Sequence, residues 1–392
     1  MQGFRLGVSL ALCAAAGAVA AAPAPTSPRI VAQWRQFGPR GQVETRAAVD
    51  GACPAGMTER AAASKDFPRL CVSVAPQPNP DPQRILVLGD TGCRIKGTVV
   101  QACNDPKQWP FPVLAASAAK FKPDLVIHVG DYLYRESPCP SGNASCAGTP
   151  WGDNWPAWRA DFFDPAAPLL AAAPWVIVRG NHEDCARAGS GFARLLAPGA
   201  FDGSCLSHIA AFDVPFKALN LVVMDDSDAP DISVDPKVAA IDRAEFAALA
   251  GAPTPSWLVM HRPIWGAVKG PLGLALGGNR TMMAALDGHP LPKPVVLTLA
   301  GHIHVFEALD YNEAEPPAVL SGNGGDLLDP PPADLSATQF GSKLRVKEGA
   351  SEEGFGFMLM TRVGKDWNID LYDATGTFER RCLFSGGHVG CR

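Results

Sequence analysis

The stretch Asp124-Leu125-Val126-Ile127-His128-Val129-Gly130-Asp131 decides the fold. Its apolar run is too short for a helix and shows no polar alternation, so it reads as a strand buried on both faces. It ends in glycine followed by a carboxylate. Four other apolar runs likewise end in a ligand-type residue, three of them after glycine: residues 84–90 (RILVLGD), 174–181 (PWVIVRGN), 256–261 (SWLVMH) and 294–302 (PVVLTLAGH). Buried strands that each end in a polar ligand-type residue are the mark of an α/β protein, whose functional groups gather at the carboxyl ends of its strands. Helical runs lie between them, at 110–121 (PFPVLAASAAKF) and 238–250 (VAAIDRAEFAALA), as α/β alternation requires.

Outward from this core, residues 23–82 are rich in Pro and Ala, carry short alternating stretches, and end in a linker around 75–83 (APQPNPDPQ). They form a small β-rich N-terminal segment and linker, and residues 83–392 form the main domain. Residues 135–165 read as a long ordered loop at the site mouth, and 355–382 as a closing antiparallel hairpin. The first 22 residues read as a signal peptide: Arg5, an apolar stretch from Leu6, and small residues up to a cleavage point near Ala20 or Ala22. Cys13 lies inside that stretch, but Leu12 before it is too large for the usual lipidation signal, which argues against a lipid anchor. No later apolar run is long enough to cross a bilayer. A secreted or periplasmic protein is expected.

The 392 residues are 47% apolar and 19% charged, which excludes a disordered chain. A formal net charge of -5 offers no footprint for duplex nucleic acid or an acidic membrane surface. Without Cys13, ten cysteines remain: Cys53, Cys71, Cys93, Cys103, Cys139, Cys146, Cys185, Cys205, Cys382 and Cys391. In an exported chain an even number reads as disulfides. Taken as successive pairs they close five short loops, although spacing alone leaves connectivity open. Closely spaced C-x-x-C pairs, which thiolate zinc sites would need, are absent.

The polar residues at the strand ends fit one two-metal site. Two multivalent cations held close together need an anionic oxygen to bridge them, and Asp131 is the candidate. Asp90 adds a second hard oxygen, Asn181 a neutral carbonyl oxygen, and His261, His302 and His304 imidazoles suited to Zn, Fe or Mn. His302 and His304 are two apart, so on an extended segment both can face the site.

The motifs Gly89-Asp90-Thr91-Gly92, Gly130-Asp131-Tyr132-Leu133-Tyr134, Gly180-Asn181-His182-Glu183, Val259-Met260-His261 and Gly301-His302-Ile303-His304 together resemble those of the purple acid phosphatases, within the calcineurin-like metallophosphoesterases. The commoner branch has histidine two after the first aspartate, where this chain has Gly92. The purple branch instead has a tyrosine where this chain has Tyr134. Leu258 stands where the family usually has Val. The resemblance spans residues 84–304 and implies a four-layer α/β/β/α sandwich of two mixed sheets. It implies Fe(III) held by Asp90, Asp131, Tyr134 and His304, with Zn, Fe or Mn held by Asp131, Asn181, His261 and His302. It places His182 beside the substrate, as a charge stabiliser or proton donor to the leaving group. The implied reaction is hydrolysis of small phosphomonoesters by a metal-activated hydroxide, as in an acid phosphatase. The same core serves phosphodiesterases of nucleotides or lipid headgroups, and a non-catalytic binding protein is a third reading that the complete ligand set argues against.

Ordinary roles are expected elsewhere. His128 reads as a packed or hydrogen-bonded strand residue, His208 as a loop residue, and His289 and His388 as exposed. Arg135, Arg179 and Arg262 flank motifs and read as structural ion pairs before phosphate ligands. Trp151, Trp155 and Trp158 cover apolar surface, Asn143 and Asn279 sit in N-x-S/T sequons, and residues 322–325 read as a tight turn.

Overall fold

The computed structural model describes residues 28–270, 275–312, 314–332, 334–336, 338–341 and 343–392, so the expected leader and Cys13 lie outside the described residues. Alternation along the strands builds the layers. In the strand Arg84–Leu88, Ile85 and Val87 point to one core while Leu86 and Leu88 point to another. The first core lies between two large sheets, where Ile85, Val87, Ile127 and Val176 meet Leu221, Trp257, Leu297, Leu299 and Val319. The second holds Leu86 and Leu88 against the helices Phe111–Ala119, Asp164–Ala172 and Gly189–Leu195. A third packs the helices Pro236–Ala248 and Arg280–Leu286 on the far side of the other sheet. The result is the expected four-layer α/β/β/α sandwich. Each fully buried Leu, Ile or Val contributes roughly 1.5–3 kcal/mol.

The first sheet runs, in spatial order, through His388–Cys391, Phe378–Ser385, Asp366–Asp373, Gly356–Val363, Arg84–Leu88, Leu125–His128, Trp175–Ile177, Arg29–Phe37, Val43–Asp50, Arg69–Ala75 and Thr58–Ala61. Its centre is parallel, since Arg84–Leu88 pairs with Leu125–His128 and that strand with Trp175–Ile177. The N-terminal strand Arg29–Phe37 continues parallel to Trp175–Ile177, so residues 29–75 extend the same sheet. The division at residues 82 and 83 therefore does not coincide with an edge of the sheet. The expected hairpin at 355–382 is the first part of a four-stranded antiparallel meander that completes the other edge.

The second sheet runs Phe212–Pro215, Asn220–Val223, Ser256–Val259, Val295–Ala300, Ala318–Ser321, Phe306–Tyr311, Leu344–Glu352 and Gln339–Phe340, with the pairings from Asn220–Val223 to Ala318–Ser321 parallel and that of Ala318–Ser321 with Phe306–Tyr311 antiparallel. Local chemistry sets the helix starts. Asp235 accepts from Lys237 N at 2.8 Å and Val238 N at 3.3 Å ahead of Pro236. All five disulfides join successive cysteines: Cys53–Cys71, Cys93–Cys103, Cys139–Cys146, Cys185–Cys205 and Cys382–Cys391. Cys93–Cys103 and Cys185–Cys205 close the loops that follow Asp90 and His182. Closing loops of this size removes unfolded-chain entropy worth about 3 kcal/mol each.

Candidate metal centre

The first three motifs follow strands of the first sheet and the last two follow strands of the second, so all five converge where the parallel strands of both sheets end. The backbone turns sharply there. Asp90, Asp131 and His302 hold φ of 56°, 60° and 68°, in the left-handed region that non-glycine residues adopt at a cost of order 1–3 kcal/mol. The glycines that precede the ligands are needed for space. A Cβ on Gly180 would stand 2.1 Å from Asp131 Oδ1, and one on Gly301 2.4 Å from Asp90 Oδ2.

Two overlapping clusters result. The Tyr134 hydroxyl lies 2.8 Å from Asp131 Oδ2, 3.0 Å from Asp90 Oδ1 and 3.1 Å from His304 Nε2. His261 Nε2 lies 3.0 Å from Asn181 Oδ1 and 3.2 Å from Asp131 Oδ2. Asp131, His261 and His302 each bring a ligand-type atom within 4.8 Å of the others. Asp131 belongs to both clusters, the position a bridging carboxylate needs. Second contacts aim the rings: His261 Nδ1 meets Val129 O at 2.8 Å and His304 Nδ1 meets Leu327 O at 2.7 Å, which leaves each Nε2 for the centre. Hard oxygens, imidazoles and a phenol, crowded together and buried apart from half-buried His302, suit a pair of cations.

Electrostatics agree. Burial works against the charge on Asp131, yet His261 and His182 together hold its carboxyl well below the usual range. Burial, then Asp131 and Asp90, push the Tyr134 phenol well above its ordinary value. Ionising Tyr134 near neutral pH therefore takes a strong Lewis acid. Gly92 explains why the tyrosine is here. A Cβ at position 92 would meet Tyr134 Cδ2 at 2.8 Å, Tyr132 O at 2.8 Å and Asp161 Oδ2 at 2.9 Å. The phenol ring fills the space a larger side chain at 92 would occupy, so a histidine there and the tyrosine here exclude one another.

A family model described as calcineurin-like phosphoesterase matches residues 83–306, more than half the chain. The chain belongs to that family. Among solved structures, the purple acid phosphatase PPD1 from yellow lupin (Lupinus luteus) seeds is similar to this phosphoesterase with a TM-score of 0.54 at 11% identity, over 92% of this chain and 74% of that one. At that identity the likeness speaks for the fold. A conserved uncharacterized protein from Streptococcus pneumoniae, a predicted phosphoesterase, aligns at 10% identity with a TM-score of 0.29, over 79% of this chain and 97% of that one. No curated protein matches the sequence significantly.

The phosphoesterase surrounds its candidate ligands with buried carboxylates that sequence reasoning missed. Glu183 accepts from the N–H groups of Tyr132 at 2.8 Å, Asp131 and Leu133 at 3.1 Å, and Gly180 at 3.2 Å, tying the second motif to the third. Burial, then Asp131, raise its carboxyl to about 8. Asp161, on a wide π-type turn at Arg159–Phe163, accepts from Tyr134 N at 2.8 Å and Cys93 N at 3.0 Å and pairs with Arg135. Asp226 accepts from His261 N at 3.1 Å and Arg262 N at 2.9 Å, and Asp326 pairs with Arg94, whose guanidinium stands 4.9 Å over the Tyr134 ring. Residues 322–325 pack on the first motif, with Gly324 N donating to Gly89 O at 3.1 Å.

The remaining expectations resolve individually. His182 is buried, donates its backbone N–H to Asp131 Oδ1 at 2.7 Å, and places its ring against Glu136, at 2.8 Å, and Arg187. His128 is a buried strand residue 3.0 Å from Thr91 Oγ1 and stacked on Tyr132. His208 pairs with Glu245 at 2.9 Å, and His289 and His388 are exposed. Arg135, Arg179 and Arg262 pair with Asp161, Asp225 and Asp231. Trp158 is buried in the outer core, Trp155 packs against it and Trp151 is exposed. The Asn279 sequon is not a surface acceptor: its side chain is 1% exposed and accepts from Met282 N at the start of the helix Arg280–Leu286.

Proposed function

We propose that this phosphoesterase is an exported dinuclear-metal phosphatase of the purple acid type, acting on small phosphomonoesters. The observation that carries the reading is the Tyr134 hydroxyl, within 3.1 Å of Asp90, Asp131 and His304 in the space above Gly92. In this reading Asp90, Asp131, Tyr134 and His304 hold Fe(III), and Asp131, Asn181, His261 and His302 hold Zn, Fe or Mn. Bound ions would supply Lewis acidity and an ionised water for attack on phosphorus.

The chain's own residues supply the rest. Asp131 serves both ligand sets, so its geometry sets their spacing. Glu183 and Asp161 fix the loop that carries Asp131 and Tyr134, which keeps the ligands from collapsing outward. His182 and Arg187 stand side by side at the edge of the centre, where a ring donor and a guanidinium can meet phosphoryl oxygens and steady the departing alkoxide. Glu136 holds both. Five disulfides support an oxidising compartment, and among the described residues no helix is long and apolar enough to cross a membrane.

The test is elemental analysis and a visible spectrum of natively purified protein, with turnover of p-nitrophenyl phosphate compared with its bis-ester. Two metals per chain, a pink to purple colour and faster monoester hydrolysis are expected. Preference for the bis-ester moves the assignment to a phosphodiesterase, and protein without metal or turnover is left as a binding protein.

A further inference from the structure

Each candidate ligand histidine has one ring nitrogen held by an oxygen outside the centre. For His261 and His304 that oxygen is a backbone carbonyl and the held atom is Nδ1. His302 differs. Its Nε2 lies 2.9 Å from Asp231 Oδ2, and its backbone N–H donates to Asp90 Oδ2 at 3.0 Å with φ of 68°. The backbone of His302 is thereby pinned to the first motif, and only ring rotation is left to decide which nitrogen faces Asp131 and His261.

We infer that Asp231 is the positioning residue that makes this choice, holding Nε2–H so that Nδ1 of His302 becomes the ligand atom for the second metal. The inference rests on the two-metal reading above. An exposed ion pair would carry little weight by itself, because such pairs contribute about 0–1 kcal/mol. Asp231 is held more firmly than that. Its Oδ1 accepts from Asn279 Nδ2 at 2.9 Å, its backbone carbonyl accepts from Arg280 N at 3.0 Å, and Arg262 pairs with its Oδ2. Asn279 in turn donates to Ala229 O at 3.0 Å while its own oxygen starts the helix Arg280–Leu286. The helix start, the buried amide, the carboxylate and the imidazole form one chain of hydrogen bonds ending at the centre. A carboxylate acceptor also makes an imidazole a better donor to metal than a carbonyl does, so Asp231 tunes affinity as well as direction. Arg262 Nη1 lies 3.0 Å from the same Nε2, and because a guanidinium only donates, an Nε2–H given to Asp231 makes this a close approach of two donors that share the Asp231 Oδ2 acceptor.

The experiment titrates metal rather than activity. Wild type, Asp231→Ala and Asp231→Asn, loaded with iron, are equilibrated against chelator-buffered zinc, then assayed for both elements and for the visible band. Asp231→Ala should bind the second metal about 10- to 100-fold more weakly while iron and its band stay. Asp231→Asn, whose amide oxygen still accepts from Nε2–H, should fall between that variant and wild type. Equal weakening of both metals in the two variants makes Asp231 a general structural residue and overturns the inference. Unchanged zinc affinity in Asp231→Ala also overturns it. A wild type that binds a single ion overturns this inference and the two-metal reading together.

Discussion

Replacing Gly92 with alanine adds one methyl group at the most crowded point of the centre. The new Cβ would stand 2.8 Å from Tyr134 Cδ2, 2.8 Å from Tyr132 O and 2.9 Å from Asp161 Oδ2, closer than such atoms settle. Backbone strain plays no part, because Gly92 is not among the residues with positive φ. Two of the three neighbours do not yield easily. Tyr132 is tied through its N–H to Glu183, and Asp161 is tied to Tyr134 N, Cys93 N and Arg135. The movable part is the Tyr134 ring, which must swing by roughly 0.7–1.2 Å from 2.8 Å to reach ordinary contact at about 3.5–4.0 Å. Overpacking of this kind costs about 1–3 kcal/mol. If the ring absorbs it by leaving its ligand position, iron binding weakens by about 10- to 100-fold, at about 1.4 kcal/mol per tenfold. Chelator titration of iron-loaded protein reads the affinity, and the visible band reports the phenolate contact directly. The Gly92→Ala variant should lose iron at lower chelator concentration and show a shifted or weakened band. Wild-type iron affinity with an unchanged band would refute the claim that position 92 is kept empty for the tyrosine.

Tyr134→Phe should abolish the colour of iron-loaded protein and retain part of the activity, whereas Tyr132→Phe, whose hydroxyl bonds to Val178 O at 2.8 Å, should stay coloured. Asp131→Asn should lose both metal and turnover, checked by elemental analysis beside a phosphatase assay. His182→Ala should keep its metals and lose rate by ~100-fold or more, so metal lost in step with rate would make His182 a ligand. In metal-free protein burial opposes the charge on His261 and His304, but Asp131 raises the first to about 9, and Asp326 with Asp90 raises the second to about 10. Both are then protonated at pH 7, and metal takes only the neutral ring. Binding should release protons at pH 7, measurable by calorimetry in buffers of different ionisation enthalpy, and apparent affinity should rise with pH up to about 9–10. The same raised values mean that the ion pairs stabilise metal-free protein fully below about pH 6.5. That contribution fades as pH climbs through 9 and 10.

The strands that carry the motifs were legible because a buried strand must be apolar throughout and a ligand can only appear where it ends. Leu125–His128 and Val295–Ala300 show this plainly. The even cysteine count made disulfides legible but left their connectivity open, and the structure joins each cysteine to the next one along the chain. What escaped was long-range. Asp161 sits in a helical stretch with no local sign that its carboxylate reaches Tyr134 and Cys93. Asp231 meets His302 across 71 residues, and Asp326 meets Arg94 across 232. Asp226 was within reach of sequence reasoning, because it follows the strand Asn220–Val223 as closely as the motif residues follow theirs. Asn279 shows the opposite failure: its sequon is a local pattern, and only the buried start of a helix reveals that the amide faces inward.

The five ligand loops come from two sheets whose shared core is apolar, with a few polar links such as Ser321 to Val87, Arg380 to Glu352 and His388 to Asp310, and that has a mechanical consequence. Dispersion and burial hold such layers together but resist sliding poorly, because neither is directional. In the two-metal reading, an ion held by Asp131 from one layer and by His261 and His302 from the other would act as a rivet across the seam. Any shear of one sheet against the other by an ångström would stretch its ligand bonds. Ion binding would thus add its own free energy to the integrity of the whole sandwich, growing as RT ln(1 + [L]/Kd) with free metal. Loss of the ions would loosen the entire molecule along that plane rather than merely silence one site.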